Sequence, residues 1–216
     1  MIRIRVHGTV GVARRFAPPV LGLLFFCGCA SSPRIPVELV DRLPPEGKAA
    51  IHESENEVII ARNSRDLALE ALARARAEAR ELDERWERAQ ARLKKAKRLG
   101  DVGLAKKVVD ARQRHADARV ELAETRVECA DAAIGKAIAK LDKTKYGELV
   151  RFGAAPGSGM THWEQRVADA EKGAEEAQRR EINLQAKALE FFEGWKRAEQ
   201  EYIQTAGDHD TCVWID

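Results

Sequence analysis

The fold is decided by residues 104–141, which read LAKKVVDARQRHADARVELAETRVECADAAIGKAIAKL. Apolar and small residues recur there at alternating steps of three and four, the spacing that keeps side chains on one stripe of a supercoiling helix. The first stripe contains Leu104, Val108, Ala111, His115, Ala118, Leu122, Thr125, Cys129 and Ala132. An offset second stripe contains Ala116, Val120, Ala123, Val127, Ala130, Ile134, Ala137 and Leu141. A helix with two stripes can pack against two neighbours, so this segment is predicted to be the middle helix of three.

Stripes of the same spacing run through residues 46–99 and 161–206. Arg65 interrupts the stripe in residues 46–99, and Glu181 interrupts the stripe in residues 161–206. Such residues either select the register of the helices or reach past the stripe to water. The stripe in residues 46–99 contains Ile51, Ser54, Val58, Ala61, Arg65, Ala68, Leu72, Ala75, Ala79, Leu82, Trp86, Ala89, Leu93 and Ala96. The stripe in residues 161–206 contains Trp163, Val167, Ala170, Ala174, Ala177, Glu181, Leu184, Ala188, Phe191, Trp195, Ala198 and Tyr202. We therefore predict an all-α fold, a long antiparallel three-helix coiled-coil bundle.

Glycine-containing segments set the predicted ends of the helices. Residues 100–103 contain two glycines and are predicted to break the first helix from the second, with Asp101 as the N-cap of the second. Residues 153–159 are predicted to be a loop, and Thr161 with Glu164 fits a capping box that opens the third helix. The predicted helices are 46–99, 102–152 and 161–206, within a rod that spans residues 46–207.

Short connections between long helices place consecutive helices side by side and antiparallel. They therefore fix which residues of the different helices lie at the same height along the bundle. Folding at the two breaks places Trp86, His115 and Trp195 in one layer, and it places Trp163 beside Tyr146. These aromatic side chains are expected to supply much of the buried area, because the alanines of the stripes bury little.

The first 28 residues have the pattern of a signal peptide. Residues 1–15 hold four arginines and no acid, and residues 20–26 form an apolar run too short to span a bilayer as a mature helix. The run ends in Phe26-Cys27-Gly28-Cys29, which resembles the lipobox of bacterial lipoproteins, in which a small residue precedes a cysteine. The resemblance implies cleavage after Gly28 and acylation of Cys29, although Phe26 stands where such motifs usually have leucine. Cys27 fits less well, because the residue before it is bulky.

The lipoprotein resemblance also implies a location. Ala30 is not the aspartate that retains lipoproteins in the inner membrane, so the pattern implies the periplasmic face of the outer membrane. Each acyl CH₂ placed in lipid contributes about 0.8 kcal/mol, so several chains give a lasting anchor. An ordinary secretory signal and an uncleaved anchor remain alternatives. Residues 29–45 contain four prolines and are predicted to be an extended, lipidated tether.

Charge and motif content argue against several classes of protein. Without the four arginines of the signal, the 37 basic residues become 33, against 35 acidic ones. A nucleic-acid partner is therefore not expected, because such proteins carry a basic face. The sequence has no Gly-rich phosphate loop, nucleophile elbow or paired cysteine motif. We predict that the protein is not an enzyme, with no catalytic residues, no cofactor and no small-molecule substrate.

The remaining cysteines and histidines have simple interpretations. Cys129 and Cys212 would lie about 35 Å apart along the rod, too far for a disulfide, whose Cα atoms must approach within about 7 Å. Cys129 is then a small core residue, and Cys212 can pair with another chain. The histidines at 52, 115 and 162 lack a second ligand at metal-binding spacing, and residues 208–210 cannot all converge on one ion, so no metal site is predicted.

The tail, residues 208–216, contains a second candidate contact besides the lipid anchor. Val213, Trp214 and Ile215 can dock on a partner or fold back onto the tip of the rod. The expected partners are the membrane, through Cys29, and a protein partner or a second copy of the chain.

The leading functional hypothesis is a lipid-anchored periplasmic coiled-coil protein with a structural or scaffolding role in the bacterial cell envelope. The alternative is an accessory component that docks by helix pairing on an envelope transport or efflux assembly. Residues 92–141 resemble the helical hairpin of outer-membrane efflux factors in their alanine- and leucine-rich coiled-coil composition.

Overall fold

The computed structural model describes residues 34–93 and 99–206, and the side-chain surroundings of residues 34–88 and 103–205. These residues form helices and no strand, so the fold is all-α. The elements are α1 (Val37–Asp41), α2 (Pro45–Leu93), α3 (Leu99–Arg151), a 3-10 turn (Gly157–Gly159) and α4 (Met160–Ala206). All of them belong to one compact unit, Ile35–Asp216.

Helix α3 packs along both long neighbours, as its two stripes predicted. Leu122 of the first stripe is buried against Ala188 of α4. Ala123 of the second stripe is buried against Leu72 and Ala75 of α2. Among the described residues, α2 and α4 share no interface of comparable extent. Each outer helix is therefore held mainly by α3.

Ion pairs border both interfaces of α3. Those with α2 are Glu55–Lys145, Arg65–Asp131, Arg76–Glu124 and Glu78–Arg119. Those with α4 include Lys107–Glu201, Glu121–Lys187, Arg126–Glu181, Glu128–Arg180, Lys136–Glu171 and Asp142–Arg166. Along each interface the residue number rises in one helix as it falls in the other. Arg65 and Glu181, which interrupt the predicted stripes, both reach α3 in this way while part of each side chain stays in water.

The connection between α3 and α4 lies where glycine predicted it. Gly153 adopts a positive φ of 73°, and its N–H donates to the carbonyl of Val150 at 3.0 Å. The N–H of Ala154 donates to the carbonyl of Leu149 at 2.7 Å. This pair of bonds is a Schellman motif, which satisfies carbonyls at the end of α3. Thr161 is already helical, so its predicted role as an N-cap is wrong: the 3-10 turn leads directly into α4.

The predicted break at residues 100–103 is also wrong. The described part of α2 ends at Leu93, and α3 begins at Leu99, so both Gly100 and Gly103 are helical and Asp101 does not cap. A glycine inside a helix costs only about 1 kcal/mol relative to alanine. Packing of the following turn outweighs that cost, because Ala105 and Val108 are almost fully buried.

Residues 35–43 are not the extended tether that their prolines predicted. Residues 37–41 form α1, and Leu43 is buried in a cluster with Ile51 and Leu149, here named the Leu149 cluster. Partly buried residues complete it: Ile35, Leu39, Val40, Leu141 and Ala155. Apolar residues spaced by four can bury on one side of a single helical turn. The segment is thus fixed beside the α3–α4 connection.

A second buried cluster lies at the other end of the helices. Tyr202 is buried with Ala105, Val108 and Val109 in what we name the Tyr202 cluster, and both Trp86 and Trp195 pack against it. His115 stacks on Trp195 with 5.8 Å between ring centroids. The predicted layer of Trp86, His115 and Trp195 is therefore confirmed. Tyr146 and Trp163 also meet as predicted, at 5.8 Å.

Removal of one side chain from the Leu149 cluster should destabilise the whole unit. Leu149→Ala leaves a cavity among residues of α2, α3 and the segment before α2, and we expect it to lower the free energy of unfolding by about 2–5 kcal/mol. Chemical denaturation followed by circular dichroism measures the change.

The matched control is the same substitution at Leu67, whose side chain is 64% exposed on α2. Leu67→Ala should change the free energy of unfolding by no more than about 0.5 kcal/mol. Equal effects of the two substitutions would contradict the packing of residues 35–43 onto α3.

Candidate functional site

The site residues predicted from sequence lie outside the described part of the chain. These are Gly28 and Cys29 of the lipobox and Val213, Trp214 and Ile215 of the tail, together with Cys212 and residues 208–210. Their assignments therefore stay predictions.

The described Cys129 departs from its predicted role as a small core residue, and His52 and His162 each contact a neighbouring side chain. His52 is exposed and contacts Glu55 at 3.0 Å, and His162 meets the edge of Trp163 at 5.1 Å. Cys129 is a free thiol that is only half-buried, so it lines a groove rather than filling the core. Burial and the neighbouring Glu181 carboxylate raise the pKa of the Cys129 thiol, which makes it a weak nucleophile. No group of potential metal ligands occurs within residues 34–93 and 99–206.

An open groove follows from the angle between the two stripes of α3. Leu122 faces α4 and Ala123 faces α2, and consecutive residues of an α-helix are about 100° apart around its axis. Two helices about 9 Å from α3 and 100° apart are about 14 Å from each other, beyond the 8–10 Å of packed helices. The face of α3 between them is left partly uncovered.

One part of this groove is a cleft of about 240 Å³ around His115, here named the His115 cleft. Glu78 and Arg85 of α2 form one wall, and Trp195 of α4 forms the other. Arg112 and His115 of α3 lie on its floor. All three long helices therefore contribute to one concave site.

Trp195, the α4 residue that lines the cleft, lies among other rings. The His115 ring stacks on Trp195 with 17° between the ring planes, and Phe192 lies 5.4 Å from His115 and 5.7 Å from Trp195. The Arg112 guanidinium lies 5.1 Å from the centre of the Trp195 ring, a cation–π contact. Phe192 does not line the cleft itself and keeps 38% of its surface exposed.

The charges of the cleft act on His115. Burial, and then the guanidinium groups of Arg119 and Arg112, lower the pKa of His115 from its ordinary value of 6.5, while the Glu78 carboxylate opposes them. Arg119 is paired with Glu78 and Arg85 with Glu81. The neutral imidazole is therefore the form that the folded protein favours near neutral pH.

A row of cations continues along the floor of the groove. Arg112, Arg119 and Arg126 are seven residues apart, which places them on one face of α3. Arg126 pairs with Glu181 at 3.0 Å, and Lys136 approaches Glu171 at 3.7 Å. The row therefore joins α3 to its neighbours across the groove. The seven-residue spacing was visible in the sequence, but the cleft it borders was not identified from it.

None of the described helices contains an apolar stretch of the length that a bilayer crossing needs. The chain matches no protein-family model, and no curated protein and no solved structure is detectably similar to it.

Protonation of His115 should make stability depend on pH. Because the folded-state pKa lies below 6.5, the unfolded chain takes up the proton first as pH falls. Stability should thus be highest above about pH 6.5, decline as pH falls below it, and level off below the folded-state pKa. Urea denaturation across this range measures the effect.

The control compares two histidines. His115→Gln should flatten the part of the profile that falls just below pH 6.5, whereas His52→Gln, at an exposed position, should leave it unchanged. A His115→Gln profile with the slope of the parent protein would contradict the role given to the cleft.

Proposed function

We propose that this chain is a lipid-anchored periplasmic coiled-coil protein with a structural or scaffolding role in the bacterial cell envelope. The observation that carries the proposal is a long helical body whose N-terminal segment, residues 35–43, is packed onto it. That segment follows closely on Cys29, in a motif that resembles a lipobox.

The proposed form of the body is a long antiparallel three-helix coiled coil. Two kinds of contact support it: buried residues that follow the stripes of three-and-four spacing, and ion pairs whose numbers rise in one helix as they fall in its neighbour. Helix α3 contains 53 residues, which at about 1.5 Å each gives a rod of about 80 Å.

The packed N-terminal segment suggests how such a rod is held. Ile35 contacts the Leu149 cluster beside the α3–α4 connection, and the six residues from Cys29 to Ile35 reach at most about 20 Å. An acylated Cys29 would then keep this end near the outer membrane. The opposite end would project into the periplasm by most of the length of α3, a geometry suited to spacing or scaffolding.

Acylation is tested by metabolic labelling with a palmitate analogue in a bacterial host. Cys29→Ser should abolish labelling and release the protein from the membrane fraction, because no other cysteine follows a small residue in the signal. Cys27→Ser is the matched control two residues away and should keep its label. Labelling that persists in Cys29→Ser would refute the anchor.

A second candidate function is docking by helix pairing on an envelope transport or efflux assembly. Ile182 and Leu189 favour it: they lie seven residues apart on one face of α4, and each is 58% exposed. Exposed apolar residues in a helical row are typical of surfaces that pair with another helix.

Size-exclusion chromatography with light scattering separates the two candidates. The scaffolding rod should be a monomer, because its stripes are satisfied within one chain, whereas the docking component should assemble as a trimer of open hairpins. The control is Ile182→Gln, which should leave a monomer unchanged and weaken a trimer held through this face.

A further inference from the structure

Helix α2 carries an exposed apolar row that the described helices leave uncovered. Ile60 and Leu67 are each 64% exposed, more than any other large apolar residue in the described parts of α2, α3 and α4. They lie seven residues apart, which places both on one face of the helix. Leu72, which packs against Ala123 of α3, lies five residues beyond Leu67 and hence about 140° around the helix from it. Ile60 and Leu67 therefore point away from α3.

A charged residue extends this row at each end, and the two charges are opposite. Glu53 lies seven residues before Ile60, and Arg74 lies seven residues after Leu67. Both are exposed, and neither forms an ion pair with another residue of the described chain. We name these four residues the α2 row; it reads acid, apolar, apolar, base from its N-terminal end.

Small side chains beside the α2 row leave space for a second helix. Ser64 and Ala71 alternate with the row at steps of three and four, which completes the spacing of a coiled-coil seam. The Ser64 hydroxyl donates to the carbonyl of Ile60 at 3.0 Å, so it keeps a hydrogen bond when another chain covers it. Two helices whose contact contains such small residues can lie close together.

The order of the charges in the α2 row specifies its partner. In an antiparallel pair of helices, a row that reads acid, apolar, apolar, base matches a second row of the same order, because each acid then faces a base. A second copy of this chain supplies that row. In a parallel pair of copies, Glu53 would face Glu53 and Arg74 would face Arg74, and such contacts between like charges are unfavourable.

We propose that two copies of the chain pair antiparallel through their α2 rows, about a two-fold axis near Ser64. Ile60 of each copy packs against Leu67 of the other copy. Glu53 of each copy pairs with Arg74 of the other copy. Because a two-fold axis makes every contact occur twice, one interface contains two apolar contacts between two ion pairs.

A row of the same order exists on α4 and consists of Glu175, Ile182, Leu189 and Lys196. Its two charged residues already have contacts within α4, since Glu175 lies 3.9 Å from Arg179 and Lys196 lies 2.8 Å from Glu199. Its apolar residues are also less exposed, at 58% each. The α2 row is therefore the stronger candidate, and the experiment must distinguish it from the row on α4.

The proposed pair is weak, because its seam is short. Only about seven residues of each copy face the other, fewer than the roughly 20–30 a side that stable interfaces use. The dilute protein therefore stays monomeric. Antiparallel pairing sets the N-terminal ends of the two α2 helices, at Pro45, about 55 Å apart, so two anchored copies would lie along a membrane rather than stand upright on it. The contact goes beyond the proposed function, because it uses α2 alone and does not require acylation of Cys29.

Sedimentation equilibrium of the full chain tests the pairing, with Cys29→Ser as the parent so that no acyl chain joins two copies. The parent should show a monomer–dimer equilibrium with a dissociation constant on the order of 0.1–1 mM. Arg74→Glu brings two carboxylates together at each end of the seam and should weaken the dimer severalfold. Glu53→Lys added to Arg74→Glu restores opposite charges and should return the constant to within about twofold of the parent.

Arg62→Glu is the matched control for the charge reversal. It makes the same change of charge at an exposed position about 200° around the helix from Ile60, on the opposite face of α2. This variant should have the dissociation constant of the parent.

Disulfide trapping locates the two-fold axis. Ser64→Cys places one thiol of each copy beside the axis, and Asp66→Cys is the control two residues away on another face. Both are made with Cys129→Ala, because Cys129 lines the same groove as Ser64 and would compete for its bond. With oxidised glutathione, the bond between two copies should form several times faster at position 64 than at position 66, and peptide mapping by mass spectrometry assigns it.

Several results would overturn the proposal. These are the absence of a dimer at about 1 mM, a dimer that Arg74→Glu does not weaken, and a weakened dimer that Glu53→Lys does not restore. Equal trapping at positions 64 and 66 would also overturn it. A dimer that Leu189→Gln weakens and Leu67→Gln does not would place the contact on α4 instead.

Discussion

The offset between the two apolar stripes of α3 is the constraint on which the rest of the structure depends. Leu122 and Ala123 are adjacent in sequence, yet one is buried by α4 and the other by α2. The outer helices have no comparable interface with each other in the described residues. A substitution on one stripe of α3 therefore acts on one neighbour, and a change in the pitch of α3 would act on both.

The large buried side chains, which contribute most to stability, lie at the two ends of the helices. Many buried positions of α3 are alanine, and one buried methyl-sized group contributes only about 0.8 kcal/mol. The ion pairs beside them are exposed and contribute about 0–1 kcal/mol each. Tyr202 with Trp86 and Trp195 at one end, and Leu149 with Leu43 at the other, bury far more area each. The middle is held by many small contacts in register rather than by any single residue.

Sequence periodicity predicted the packed faces because it is a local property of each helix. Periodicity carries no information about packing between residues that are distant in sequence. The predictions that are wrong concern segments where such packing outweighs the local preference of glycine or proline. Gly100 and Gly103 are helical since the turn after them is buried, and prolines at 36 and 44 flank a helical turn rather than an extended tether. The spacing of Leu39 and Leu43 carried that information, but its burial partner Leu149 lies about a hundred residues away.

The His115 cleft could have been deduced from the same stripes, by geometry rather than by motif. Helices that each touch α3 at positions 100° apart cannot also touch each other, so a groove must lie above the residues between the stripes. Those residues include Arg112, Arg119 and Arg126, whose long side chains partly fill it. Arg119 and Arg126 pair with flanking acids, and the Arg112 guanidinium lies over the Trp195 ring. Beside Trp195 the groove forms the His115 cleft, whose lining is mostly charged or ionisable. The angle at which α3 holds its two neighbours therefore leaves this face of α3 partly uncovered.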